Sequence, residues 1–198
     1  MINQQKKNRI TILIIFGMSI IPFCVAWFLK ENPDMLTSRT NNGELIIPPI
    51  VTARTDLNGF DDFSRKNLKE LNGRWVLINV VPGDDCDAFC QEAIYKSKQL
   101  LLMMSKDLVR IRRVVLLFQN VADAKAGAWW REDTRLLRAR PSQALLAKLN
   151  EIRQAPIADG MLLLMDPFGN VMMYYEPGFD PYKVKSDLKK LLNISQIG

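Results

Sequence analysis

The sequence predicts an α/β domain with a mixed central sheet, preceded by one membrane-spanning helix. Three observations lead to this prediction. Residues 10–29 form a run of twenty residues without a charge. Apolar, β-branched runs at 74–81 and 110–118 flank a helical pattern at 88–106. A hairpin pattern at 161–175 then precedes a final helix.

The uncharged run 10–29 has the length of one transmembrane helix. A cleaved signal peptide is the alternative, but FCVAWFLKE offers no small-x-small cleavage site. Lys6, Lys7 and Arg9 precede the run, so the positive-inside rule places the N-terminus in the cytoplasm. We therefore expect a single-pass protein of the inner membrane with its C-terminal domain in the periplasm. Cys24 lies within the run and is interpreted as membrane packing.

Four segments follow from this reading: a cytoplasmic N-terminus at 1–9, the anchor at 10–29, an extended tether at 30–51 and a folded domain at 52–198. Pro48-Pro49 excludes a helix in the tether. Within the domain, we expect a short hairpin at 53–60 that turns at Asn58-Gly59. The segment 119–141 gives no clear pattern. Ser142 and Asp180 are predicted to cap the last two helices.

Charge and composition exclude several function classes. The chain has 27 basic and 21 acidic residues, but most of the excess positive charge lies on the residues that flank the anchor. From residue 31 onward there are 23 basic and 21 acidic residues. Nucleic-acid binding therefore loses its electrostatic argument. The chain has no histidine, which excludes Ser-His and Cys-His catalysis and every histidine-ligated metal site.

Cys86 and Cys90 stand four residues apart where the helix at 88–106 is predicted to begin. At this spacing their side chains share one face of the first turn, so a disulfide can form and open. Amides at a helix start stabilise a thiolate. We therefore expect Cys86, the more N-terminal and exposed thiol, to be the nucleophile and Cys90 to resolve the mixed disulfide. In an oxidising compartment such a pair can alternate between the dithiol and the disulfide.

Three carboxylates surround this motif: Asp84, Asp85 and Asp87. Their negative charge is expected to raise the pKa of the thiols and to slow their attack. The same charge favours a bound cation, and two thiolates suit Cu(I). A third ligand would have to come from Asp159, Met172 or Met173. From the residues alone, a redox dithiol, a copper site and a structural disulfide all stay open.

Three segments in this order resemble the Sco/SenC/PrrC family of cytochrome oxidase assembly proteins. They are NNGELIIPP after the anchor, WVLINVVPGDDCDAFCQEAIY around the cysteines, and the hairpin MLLLMDPFGNVMMYY. The resemblance covers residues 41–193 and is greatest to divergent bacterial members that lack the copper-ligand histidine. It implies a thioredoxin-like fold anchored in the membrane.

In that family the two motif cysteines, here Cys86 and Cys90, bind copper with a histidine that precedes the hairpin. This sequence has PIADGML there, with Ala158 or Asp159 near the expected position. The resemblance therefore implies a thiol-disulfide protein with no cofactor, and Cu(I) bound by Cys86 and Cys90 as the alternative. The implied protein partner is the copper site of cytochrome oxidase subunit II or a copper chaperone.

A third hypothesis is a non-enzymatic assembly scaffold with a fixed disulfide. In it, a loop around Trp129-Trp130 would dock on an assembly partner. The basic residues near this loop, Arg135, Arg138 and Arg140, could then contact an acidic partner or anionic lipid.

Overall fold

The computed structural model describes residues 2–32, 40–130, 133–153, 155–195 and 197. The chain divides into two compact units, Met1–Thr40 and Asn41–Gly198. The first unit contains helix α1, Ile2–Glu31. Its part from Gln4 to Glu31 is long and apolar enough to cross a membrane by length and composition, and none of its most apolar stretch is buried.

The second unit contains a seven-stranded mixed sheet and five further α-helices among the described residues. The strands are β1 Glu44–Val51, β2 Leu57–Gly59, β3 Trp75–Val81, β4 Ile111–Leu117, β5 Leu137–Pro141, β6 Leu162–Met165 and β7 Asn170–Tyr175. The helices are α2 Asp62–Asn67, α3 Ala88–Met103, α4 Asp123–Trp129, α5 Gln143–Asn150 and α6 Pro181–Ile194. Short 3-10 turns lie at Arg54–Asp56, Leu68–Leu71 and Ser105–Arg110. The strand order is β1-β7-β6-β3-β4-β5-β2.

Strands β3 and β4 form the parallel centre of the sheet, joined through α3. They pair in register from Trp75 opposite Ile111 to Val81 opposite Leu117. Every residue of β3 is buried, because the sheet is covered on both faces. The predicted β-α-β unit is confirmed.

The C-terminal half adds an antiparallel hairpin to this centre. Strand β6 pairs antiparallel with both β3 and β7. The predicted caps are also present: the Ser142 side chain accepts a hydrogen bond from the Leu145 amide at 3.1 Å, and Asp180 accepts one from the Tyr182 amide at 2.8 Å. The predicted α/β fold with a mixed sheet and one N-terminal apolar helix is confirmed.

The predicted tether at 30–51 differs from the structure at its end. Residues 33–39 lie outside the described residues. Residues 44–51 are extended, but they form the edge strand β1, which pairs antiparallel with β7. The register shifts between Leu45 and Ile50, where Pro48-Pro49 cannot donate ladder hydrogen bonds. An edge strand tolerates this loss, and the sequence pattern alone reads it as a linker.

The predicted hairpin at 53–60 is wrong. Residues 54–56 form a 3-10 turn, and β2 pairs with β5 at the far edge of the sheet. Strand β5 lies in the segment that gave no pattern. Gly59 passes so close to α2 that a Cβ atom there would lie 2.6 Å from the Arg65 amide nitrogen. This close approach explains the glycine better than a turn does.

Candidate functional site

The candidate site lies at the carboxyl end of β3. The strand ends at Val81, Pro82-Gly83 leaves the sheet, and helix α3 begins after its cap residue Asp87. Cys86 and Cys90 form a disulfide across this junction, with their Cα atoms 5.2 Å apart. The two cysteines that the sequence singled out are therefore bonded to each other at the start of a helix.

Side-chain hydrogen bonds hold the backbone of this junction. The Asp87 carboxylate accepts from the Cys90 amide at 2.8 Å, and the Asp85 carboxylate accepts from the Cys86 amide at 3.0 Å. The Gln91 side-chain amide donates to the Cys86 carbonyl at 2.9 Å. The Asp87 carboxylate thus satisfies a backbone amide that the helix start leaves without a partner, and the Asp85 carboxylate satisfies the Cys86 amide in the loop before the helix.

The expected exposure of Cys86 is wrong. Cys86 is 2% exposed and Cys90 is 1% exposed. Both cysteines belong to a hydrophobic cluster with the ends of the central strands and with Ala126 and Trp130 from the chain around α4. The residues that bury the disulfide come partly from the segment that gave no pattern in the sequence, so their proximity required the tertiary fold.

Asp159 lies near the cysteine motif, as its position before the hairpin suggests. The loop that carries it packs on the first turn of α3: a Cβ atom at Gly160 would lie 3.0 Å from the Phe89 carbonyl oxygen. The Asp159 Oδ1 atom is buried without a hydrogen-bond partner among the described residues. Burial raises the pKa of the Asp159 carboxyl, and the negative charges of Asp87 and Asp85 raise it further.

The two candidate methionine ligands lie elsewhere. Met173 is 3% exposed, and its sulfur accepts a hydrogen bond from the Tyr175 hydroxyl at 3.1 Å. Met173 belongs to a second hydrophobic cluster, and Met172 packs against that cluster. The second cluster does not contain the cysteines. Within the described part of the chain, no group of three or more His, Cys, Asp or Glu side chains is placed to hold a metal ion.

The donor atoms near the disulfide therefore fit a three-ligand Cu(I) site poorly. The two cysteine sulfurs are soft donors, which Cu(I) prefers when they are reduced. Near the place where the resemblance implies a histidine, Ala158 offers no donor and Asp159 offers a hard carboxylate oxygen. Only two soft ligands are supplied by this region.

The Trp129-Trp130 pair packs inward. Trp130 is 5% exposed, and its ring makes edge-to-face contacts with Trp129 at 5.5 Å and Phe60 at 6.5 Å between centroids. Arg138 forms an ion pair with Asp61 at 2.8 Å, and Arg140 lies 4.9 Å from the Phe60 ring centroid. Trp130 is thus part of the core rather than a docking residue.

Sequence reasoning missed a buried arginine beneath α3. Arg113 is 4% exposed and donates to the Ile94 carbonyl at 2.8 Å, the Ser97 hydroxyl at 3.0 Å and the Asp133 carboxylate at 2.6 Å. Burial lowers the pKa of the Arg113 guanidinium, and the Asp133 charge opposes this. The available signal was a charged residue at an inward position of the buried run RIRRVVLL.

A groove of about 270 Å³ lies beside the disulfide helix. One wall is α3, with Gln91 and Tyr95, and the other carries Trp129 and Trp130. The groove is open to solvent, and Gln91 in its wall donates to the Cys86 carbonyl, but the disulfide itself is buried.

Solved thioredoxin-like structures are similar to this one. Copper-bound yeast Sco1 has a TM-score of 0.50 at 13% sequence identity, over 64% of this chain and 83% of that chain. Copper-bound ScoI from Arabidopsis thaliana scores 0.48 at 14% identity, over 64% and 89% of the two chains. A putative thioredoxin from Neisseria meningitidis scores 0.48 at 12% identity, over 65% and 81%. At 13% identity the likeness to yeast Sco1 shows the fold alone, and the predicted resemblance to Sco proteins is confirmed at that level.

Among curated proteins, none matches this sequence. A family model described as "Transmembrane-like, thioredoxin-like, C-terminal domain" matches residues 75–195. The match runs from the start of β3 through α6 and contains the disulfide, Asp159 and the hairpin. With its apolar N-terminal helix, the chain belongs to the transmembrane-like, thioredoxin-like family and is a membrane-anchored thioredoxin-like protein.

Proposed function

We propose that this protein exchanges its Cys86–Cys90 disulfide with the thiols of a partner protein outside the cytoplasm. One observation carries the proposal: the disulfide joins the loop after a buried central strand to the first turn of the following helix. In this position the bond can open with little change in the sheet beneath it, because both cysteines lie beyond the end of β3.

The exchange is a two-step transfer of electrons. In the reduced protein, the Cys86 thiolate attacks one sulfur of a partner disulfide and releases one partner thiolate. The Cys90 thiolate then attacks the Cys86 sulfur of the mixed disulfide and releases the second partner thiolate. This protein loses two electrons and two protons, the partner gains them, and the structure described above is the oxidised product. The same steps run backwards when the partner is the reductant.

The substrate class follows from the resemblance to the Sco/SenC/PrrC family. We propose that the partner carries a cysteine pair that must be reduced before it can take copper. The copper site of cytochrome oxidase subunit II or the thiols of a copper chaperone have this chemistry. Their location requires that the domain of this protein lies in the periplasm, where the positive-inside rule also places it.

The reduction potential of the disulfide tests the proposal. We would equilibrate the full chain, in detergent micelles and with a Cys24→Ser background, in thiol redox buffers and read the Cys86/Cys90 pair by alkylation. A value of about −180 to −280 mV is typical of exchanging dithiols and is expected here. A value below about −300 mV would identify a structural disulfide and would favour the scaffold hypothesis instead.

Copper binding is the second candidate function, because Sco proteins with this fold are known with copper bound. In the reduced protein, Cys86 and Cys90 would be the ligands. Titration of the reduced full chain with Cu(I) in the presence of a competing chelator should show weak binding that either cysteine-to-serine change abolishes.

The variant Asp159→His would add a softer third donor and should tighten binding at least tenfold if the loop faces the thiolates. Unchanged binding in Asp159→His would reject this geometry.

A further inference from the structure

The burial of the disulfide conflicts with the exchange proposed above. Thiol-disulfide exchange requires that the attacking sulfur reach a sulfur of the disulfide, so access controls the rate. Cys86 and Cys90 are almost fully buried. Some part of the cluster around them must therefore move before a partner thiol can react.

The cluster draws on the central strands, on α3, on Phe60 and Leu136 beside β2 and β5, and on one segment that is suited to move. Val81, Val115 and Leu117 belong to the central strands and are held by ladder hydrogen bonds. Other members lie on α3, which carries Cys90 itself. The covering segment, residues 121–130, contributes Val121, Ala126 and Trp130 and contains the short helix α4. It is not part of the sheet, so it can shift without breaking strand pairing.

The two ends of the covering segment are held with unequal strength. On the C-terminal side of the segment, Asp133 forms an ion pair with the buried Arg113. The Asp133 side chain is 12% exposed and the Arg113 side chain is 3% exposed. The Asp133 amide also donates to the Trp130 carbonyl at 2.7 Å. This end is anchored by an ion pair that solvent screens little.

At the N-terminal side of the segment, α4 contacts the loop that leads to Cys86. The Lys125 ammonium group on α4 donates to the Asp84 carbonyl at 2.7 Å and lies 3.6 Å from the Asp85 carboxylate. Asp84 and Asp85 directly precede Cys86. The side chains of Lys125 and Asp85 are 46% and 68% exposed, so salt screens this ion pair. The N-terminal part of α4 is therefore the end that can detach.

We propose that Lys125 is a positioning residue that closes the covering segment over the Cys86–Cys90 disulfide, and that release of its contact with Asp84 and Asp85 admits the partner thiol. The covering segment then swings on the end fixed by Arg113 and Asp133. This inference rests on the proposed exchange function and specifies how access to the same site is controlled.

The test measures how fast dithiothreitol reduces the disulfide in the full chain in detergent micelles, with the Cys24→Ser background. Dithiothreitol attacks one cysteine sulfur, its second thiol closes the cyclic disulfide, and both protein cysteines leave as thiols. The variant Lys125→Met keeps the aliphatic stem and removes the charge. We expect its reduction at low salt to be about two- to five-fold faster than in the original protein, as a screened surface ion pair allows.

Three comparisons make the result specific. Lys125→Arg should restore the original rate within a factor of about two, because it can donate to the same oxygens. Added salt should speed the original protein more than Lys125→Met. Lys96→Met, which removes an ion pair with Glu92 on α3, should leave the rate unchanged. Loss of a positive charge alone would slow attack by an anionic thiolate, so acceleration cannot be a simple charge effect.

Equal rates for the original protein and Lys125→Met at low salt would overturn the inference, as would equal acceleration by Lys96→Met. The urea midpoints of all variants are measured in parallel, and acceleration that merely follows a lower midpoint also counts against it. The reduction potential is measured separately. A potential in the structural range would reject the exchange function, whereas an exchanging potential with unchanged rates would reject only the role of Lys125.

Discussion

At the scale of single residues, the acidic side chains of this domain have different physical roles. Asp187 is 2% exposed and accepts hydrogen bonds from the Asn42 amide at 2.7 Å and the Gly43 amide at 3.1 Å. The Tyr175 hydroxyl donates to it at 3.2 Å. Asp187 thereby fixes the chain just before β1 to helix α6. This explains the Asn-Gly pair in the segment NNGELIIPP, since a Cβ atom at Gly43 would lie 2.7 Å from the Met173 sulfur.

Asp159 gives a prediction about pH. Burial, followed by Asp87 and Asp85, raises its pKa in the folded protein above the unfolded value. The folded state then binds more protons, so this group's contribution to stability falls as pH rises from the unfolded pKa through the folded pKa. We expect Asp159→Asn to gain stability relative to the original protein as the pH rises from about 3.5 to 7. Urea unfolding of both proteins across this range measures the difference.

Asp56 provides a control of opposite sign. Hydrogen bonds from the Ala53 amide and the Ser142 hydroxyl lower the pKa of the Asp56 carboxyl. The contribution of the Asp56 carboxylate to stability is therefore present above the unfolded pKa and is lost as the pH falls through the folded pKa. Asp56→Asn should lose stability relative to the original protein over the same rise in pH. A pH-independent difference for Asp159→Asn would contradict the burial of its carboxylate.

At the scale of elements, helix α3 depends on its N-terminal cap. Asp87 satisfies the Cys90 amide, and this bond also fixes the residue that carries the second sulfur. The cap therefore links helix stability to the geometry of the disulfide.

Replacing the cap should separate these contributions. We expect Asp87→Ala to lower the free energy of unfolding by about 1 kcal/mol. Asp87→Ser keeps a capping oxygen and should cost only a few tenths of a kcal/mol. Urea unfolding of the oxidised full chain in detergent micelles measures both. Equal losses in the two variants would show that the carboxylate acts through its charge rather than as a cap.

At the scale of the whole molecule, the anchor and the domain make one prediction about topology. Lys6, Lys7 and Arg9 precede the apolar helix, and the disulfide needs an oxidising compartment to form. We expect alkaline phosphatase fused after Gly198 to be active when the chain is produced in a bacterial cell. Replacing the three N-terminal basic residues with glutamine and adding three lysines after Lys30 should reduce that activity. An inactive fusion to the original sequence would place the domain in the cytoplasm.

The sequence by itself determined the parts of this protein that depend on local pattern. Periodicity and length predicted the apolar N-terminal helix, the central parallel strands, the hairpin and the capped helices, because each signal lies within about twenty residues. The spacing and position of Cys86 and Cys90 predicted that they can bond. The missing histidine is a matter of composition and needs no structure.

Only the tertiary structure decided the features that join distant segments. Strand β1 is recognisable as a strand only beside β7, and β2 only beside β5, because an edge strand takes its hydrogen bonds from a partner far away in sequence. The burial of the disulfide likewise depends on Ala126 and Trp130, about forty residues beyond it. Whether a thiol is exposed is decided by what packs over it, and no pattern within the cysteine motif records that.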